Sequence, residues 1–220
     1  MESLLAQDPD QYLIEGTDPT VVAGYVSQKQ ALARQFQSDA STLLEVPFSG
    51  GSSFSIVLCK CLSRGTIHLS PNDDGIDPTG RGDVEPLVDY RSFSNPLDLD
   101  LVVELLKGTR QFMSSDAMVE AFGPVETSPG ASMTDEEDLK AWIASRISPS
   151  TGHPIGTAAL APRELGGVVG PDLTVYGTAK LSVADNSIMP LIPSTHTSST
   201  AYAIGEKASN LNQLLLRACH

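Results

Sequence analysis

Four histidines occur in the chain, and two of them stand where an imidazole can do chemistry. His153 lies in "SPSTGHPIGTAALAP", between a Gly and a Pro, and His196 follows 43 residues later in "PLIPSTHTSSTAYAIGEKASNL". The first stretch is too rich in Gly and Pro to be the inside of a helix. The second is a Ser/Thr-rich loop just before an amphipathic run. Both rings are therefore expected on loops, where sites are usually assembled. An imidazole takes or gives a proton near neutral pH. Two of them in one pocket can divide the work, one as base and one holding the reacting group. Sequence separation does not by itself bring them together, and two unrelated surface histidines are the alternative.

The other candidates are weaker. His68, in "GTIHLS", reads as a packed or half-exposed strand residue, and His220 as a frayed terminus. "LSVADNSIMPLIP" places Asp185 and Asn186 at the end of a β-like run, a usual place for a ligand. The same residue types also make turns and caps. The glycines of "GTAALAPRELGGVVGPDL" let backbone approach a flat ligand closely, or simply shape a loop.

Several elements must position these groups. Asp18 and Pro19 predict a helix start, with Val22, Tyr25 and Val26 opening its apolar face. "TLLEVPFSG" and "FSIVLCKCLS" alternate and are rich in β-branched residues, so two strands are expected around Gly50-Gly51, with "GTIHLS" as a third. "PNDDGIDPTGRGDVEP" is a polar, turn-rich loop. Its Arg81-Gly82-Asp83 is too short a match to support an adhesion role. Asn95 and Pro96 open a second helix, whose face carries Leu101, Leu105 and Thr109 beside Val102 and Leu106. Thr134 with Glu137 predicts a capping box before a third. From Ile147 to Pro193 small residues dominate, with "LTVYG" and "LSVAD" as short β-like pieces. A last helix is expected over about 201–216. The fold class is α+β: an antiparallel sheet flanked by helices, with a loop-rich C-terminal segment ending in a helix. Residues 1–146 and 147–220 are expected as two regions of one compact unit.

Composition narrows the partners. The 220 residues are 40% hydrophobic and 19% charged, with a formal net charge of −13 and a pI near 4.5. Such a field repels phosphate backbones and anionic lipid, so neither nucleic acid nor a membrane surface is expected. No apolar run is long enough to span a bilayer. No signal peptide or glycosylation sequon is recognisable, so a cytoplasmic location is expected. Cys59, Cys61 and Cys219 read as free thiols in a reducing compartment. Their number and spacing do not make a zinc site, and no metal is expected.

The segment "HPIGTAALAPRELGGVVGPDLTVYGTAKLSVADNSIMPLIPSTHTSSTAYAIGEKASNL" resembles the C-terminal part of the glucose–methanol–choline oxidoreductases, which are FAD-dependent alcohol oxidases and dehydrogenases. His-x-x-Gly-Thr, Gly-Gly-Val-Val, Val-Tyr-Gly, Val-Ala-Asp-x-Ser-Ile-x-Pro, a His before the last helix and Ile-Gly-Glu-Lys-Ala occur in the family's order. "FSGGSSFSIVLCKCLSRGTIHLSP" and "VDYRSFSNPLDLDLVVELLKGTRQFM" resemble its substrate-binding part, most of all in fungal members acting on aryl or polyketide-derived alcohols. The resemblance implies that His153 takes the hydroxyl proton and that His196 orients the alcohol. It places Asp185, Asn186 and Thr197 against the flavin. It also implies a small hydrophobic or aromatic metabolite as substrate.

The sequence departs from the family pattern as well. The family's G-x-G-x-x-G turn, which holds the pyrophosphate of FAD, has no counterpart here. Gly170 stands where Asp is usual, and Ala158-Ala159-Leu160 where Cys/Ala-x-Met is usual. The chain is thus expected to match the back portion of an enzyme and not to hold FAD alone. A homodimer or a separate flavin-bearing chain would complete it. Two further readings stay open at this level: a flavin-independent enzyme using the His pair for isomerisation, dehydration or cyclisation, and a non-catalytic remnant.

Overall fold

The computed structural model describes residues 2–47, 55–70 and 85–218, and side chains for 4–47, 55–70 and 85–211. Gly50-Gly51, Arg81-Gly82-Asp83, Cys219 and His220 lie outside the described residues. A short helix, α1 (Glu2–Ala6), is followed by the long α2 (Pro19–Phe36). The Asp18 carboxylate caps α2, accepting from the Thr20 amide at 2.8 Å, with Pro19 in the first turn as expected. The inward face differs from the expected one. It consists of Gly24, Tyr25, Lys29, Leu32 and Ala33, while Val26 is exposed. A close neighbour sets this rotation. At Gly24 an added Cβ would run into the backbone carbonyl of Leu165, so the helix presents its glycine to the 3-10 turn Arg163–Leu165. Close approach accounts for a residue that otherwise costs a helix interior about 1 kcal/mol.

The sheets are smaller than the sequence patterns imply. β1 (Leu44–Glu45) pairs antiparallel with β2 (Val57–Leu58), matching Leu44 with Leu58 and Glu45 with Val57. β3 (Thr66–His68) pairs antiparallel with β4 (Leu87–Asp89), a strand the sequence patterns did not indicate. "LTVYG" and "LSVAD" form only isolated bridges, Val169 to Val175 and Thr174 to Ser182. The Gly and Pro around them turn the chain before a ladder can extend. The architecture is therefore mixed helices and small antiparallel sheets.

α3 (Pro96–Met113) starts at Asn95, whose carboxamide accepts from the Leu97 amide at 3.2 Å. Asn95 also exchanges two hydrogen bonds with Gln7, at 3.0 and 2.9 Å, which ties the N-terminal segment to this helix start. A short α4 (Asp116–Phe122) follows and had no clear sequence signal. α5 (Glu136–Arg146) is capped by Asp135 and not by Thr134: its carboxylate accepts from the amides of Glu137 and Asp138. A carboxylate serves two orphan amides at once and wins over a neighbouring hydroxyl. The final helix α6 runs Ser198–Ala218. No described helix is long and apolar enough to cross a membrane.

Three apolar clusters hold these elements. Leu4, Leu32, Ala33 and Leu62 form one, with Leu97 and Leu191 packed against it. Val103, Leu139 and Ile143 join α3 to α5. Val169, Leu173, Ile188 and Ala208 fasten the loop-rich segment to α6. Each fully buried Leu or Val contributes roughly 1.5–3 kcal/mol.

Candidate active site

His153 and His196 meet. Their ring centroids are 5.2 Å apart and the rings stand edge to face, at 87°. Two loops achieve this by locking to each other. After His153, the Ala158 amide donates to the Ser187 carbonyl at 3.0 Å and the Leu160 amide to Ile188 at 2.8 Å. Leu191, half-buried against the Leu32–Leu62 cluster, then anchors the segment that returns to His196. The approach to His153 is a tight turn with Ser150, Thr151 and Gly152 all at positive φ. For the first two that costs on the order of 1 kcal/mol each. The turn closes by the His153 amide donating to the Ser150 carbonyl at 2.9 Å.

A third group joins the pair. Glu45 Oε1 lies 2.7 Å from His196 Nδ1. A carboxylate only accepts, so Nδ1 carries a hydrogen and Nε2 is the ring nitrogen left to face a ligand. The second carboxylate oxygen, Oε2, is buried without a partner. A buried acceptor of this kind calls for a donor, such as a hydroxyl brought by a ligand or a water. Sequence reading missed Glu45. The available signal was an acid inside the apolar run "LLEVP", where a strand residue aimed inward needs a partner.

Both histidines line one cleft of about 1670 Å³, together with Phe93, Trp142, Ile56 and Val57. Much of the wall is apolar. His68 lines the same cleft from β3 but makes no ring contact with the pair. One wall is the segment 59–64, and its anchoring is polar. The Asp98 carboxylate, 2% exposed, accepts from the Leu62 and Ser63 amides, each at 2.7 Å. Arg64 donates to Gln28 and to the carbonyls of Cys61 and Ser63, and stands 5.4 Å over the Tyr25 ring. Burial pushes the Asp98 carboxyl above its ordinary range, against the pull of these hydrogen bonds. Cys59 and Cys61 are free thiols, and burial raises both.

Asp185, Asn186 and Thr197 behave differently from one another. Asp185 is exposed, does not end a strand, and caps the 3-10 turn Asn186–Ile188 by accepting from the Ser187 amide at 2.7 Å. Asn186 donates from Nδ2 to the Thr197 hydroxyl at 3.1 Å, and its Oδ1 is buried without a partner. Thr197 is 3% exposed and borders the cleft beside His196. Among the described residues no cluster of His, Cys, Asp and Glu is arranged to hold a metal ion.

Known proteins resemble this chain in sequence and in fold. Residues 62–205 match the family model described as GMC oxidoreductase. The dehydrogenase xptC of Emericella nidulans is 31% identical over 211 residues, covering 96% of this chain and 32% of the relative. An FAD-dependent oxidoreductase from Chaetomium thermophilum superposes with a TM-score of 0.87 at 33% identity, covering 98% of this chain and 36% of that one. A fungal aryl-alcohol oxidase superposes at 0.80 with 37% identity, covering 92% and 33%. The chain thus spans about a third of the length of the relatives it matches.

Proposed function

The chain belongs to the GMC oxidoreductase family, and on that premise we propose that it forms the substrate-binding and proton-accepting side of an FAD-dependent alcohol-oxidising enzyme. The observation that carries this reading is the edge-to-face meeting of His153 and His196, with Glu45 behind His196. His153 removes the hydroxyl proton of a bound alcohol. Through its free Nε2, His196 holds the same oxygen, and the Glu45 carboxylate keeps its ring turned that way. FAD, when bound, supplies the acceptor for the hydride that leaves the carbinol carbon, so the alcohol ends as a carbonyl. The cleft walls at Phe93 and Trp142 favour an aryl or similarly flat alcohol.

Asn186 and Thr197 fit the role of flavin contacts. The partnerless Oδ1 of Asn186 is a buried acceptor, of the kind a hydroxyl of the cofactor's ribityl chain satisfies. Asp185 is engaged in its own turn and acts by shaping that segment.

The test is to purify the protein that carries this chain with FAD added, and to follow oxidation of an aryl alcohol such as anisyl alcohol. His153→Ala is expected to lower turnover by about 10²–10⁴, with flavin content unchanged. Equal turnover with and without the His153 ring, in equally flavin-loaded samples, would sink the assignment.

A further inference from the structure

A second, polar groove shares Lys60 with the wall of the His cleft and opens along α2. It has a volume of about 500 Å³, runs along the C-terminal half of α2 and is lined by Arg34, Gln35, Ser38, Ser41, Lys60 and Ser194. Lys60 is the unusual member. It is only 6% exposed, yet no carboxylate lies within ion-pair distance among the described residues. Its ammonium donates once, to the Ile192 carbonyl at 2.7 Å, and has two further N–H groups to place. The other buried lysine, Lys29, is treated differently: it donates to the Gln7 carbonyl at 2.8 Å and stands 5.8 Å over the Tyr25 ring. Lys107, Lys140 and Arg110 each have a carboxylate. Buried charges are normally paired, and burial alone holds the Lys60 pKa below its ordinary value.

The rest of the groove is built of donors that the described residues leave unused. The Arg34 side chain has no hydrogen bond or ion pair to a described residue. The Gln35 carboxamide has a buried oxygen without a partner, and its two ends can exchange by a simple flip. Ser38 accepts from the Ala40 amide at 3.2 Å, which leaves its O–H to give. The end of α2 opposes these cations with about half a negative charge, against two full positive ones. Asp39, next to Ser38, pairs with neither cation.

We propose that this groove binds a tetrahedral oxyanion, phosphate or sulfate, free or at the end of an organic molecule. Donor-bearing side chains line the groove from three separate segments, residues 34–41, 60 and 194, more than a planar carboxylate can use. The volume exceeds that of the anion alone, so an organic remainder fits beside it. The site does not depend on the alcohol-oxidising reading.

The test is calorimetric titration of the 220-residue chain with sodium phosphate, sodium sulfate and phenyl phosphate, each against sodium chloride at matched ionic strength. Saturable binding of phosphate or sulfate is expected, weakened about tenfold or more in Lys60→Met and in the exposed Arg34→Gln. Tighter binding of phenyl phosphate than of phosphate assigns the rest of the groove to an organic moiety; equal binding assigns the site to the free anion. Absence of saturable binding by all three, or undiminished binding in Arg34→Gln and Lys60→Met, overturns the proposal. Should Lys60→Met not fold, Arg34→Gln decides, because its side chain is at the surface.

Discussion

Asp98→Ala tests how the wall of the cleft is held. The carboxylate receives two backbone amides at 2.7 Å, those of Leu62 and Ser63, in a place where Asp98 itself is 2% exposed. Removing it leaves two N–H groups without acceptors, Leu62's buried and Ser63's part-buried, each costing up to about 1–3 kcal/mol, so the gross loss is about 2–6 kcal/mol. Part of this is offset, because burying the carboxylate was itself unfavourable, as its raised pKa records. A net loss of about 3 kcal/mol is expected. For a chain of this length that lowers the melting temperature by roughly 6–12 °C. Asp98→Asn keeps one acceptor and should lose about half as much. The assay is thermal and urea unfolding of the 220-residue chain, followed by circular dichroism. The pH dependence has a definite sign. The folded chain keeps the Asp98 proton to higher pH than the unfolded chain does. The titration therefore favours folding at low pH, and the margin over Asp98→Ala shrinks as pH rises through the window above 3.8. A loss below about 1 kcal/mol, or a margin that widens over that window, would refute the clamp.

Three further outcomes are expected. Gly24→Ala forces a methyl into the Leu165 carbonyl and should cost about 2–3 kcal/mol despite the better helix propensity of Ala, measured by urea unfolding; a stabilised variant would mean that α2 and the 163–165 turn are not in contact. Glu45→Gln removes the charge from the 2.7 Å contact with His196, and should cost about 1 kcal/mol because both side chains are partly solvated. It should also move the downfield Nδ1 proton resonance of His196 upfield, and an unmoved resonance would separate the two groups. The folded-state pKa of Lys60 is lowered, so wild type should gain stability as pH rises toward 10.5, the unfolded value. Lys60→Met should flatten that rise in alkaline urea titrations, and an unchanged slope would show that the ammonium is not buried.

Local signals placed most helices well. Asp18-Pro19 and Asn95-Pro96 start α2 and α3 as the cap chemistry requires, since an accepting side chain two residues before the donating amide suffices to decide it. The sheet was harder to read. "TLLEVPFSG" and "FSIVLCKCLS" have strand composition over long stretches, but only Leu44–Glu45 and Val57–Leu58 pair, because ladder length depends on a partner strand elsewhere in the chain. α4 and β4 had no cap or alternation strong enough to announce them. The face of α2 was misjudged at Val26, because a glycine's tight approach to Leu165 outweighed one valine's burial.

The sequence alone determined the family, the loop setting of His153 and His196, and the chemistry that two imidazoles can do. Those follow from residue type and local order, which act within a few residues. The tertiary structure decided that the rings stand 5.2 Å apart, that Glu45 backs His196, and that Lys60 is buried without a described carboxylate. Glu45 is 151 positions from His196 and Lys60 is 132 from Ile192. Tertiary contacts, among them the β1–β2 pairing that holds Glu45, the packing of Leu191 on the Leu32–Leu62 cluster and the backbone bonds from Ala158 and Leu160, bring such groups to hydrogen-bonding range.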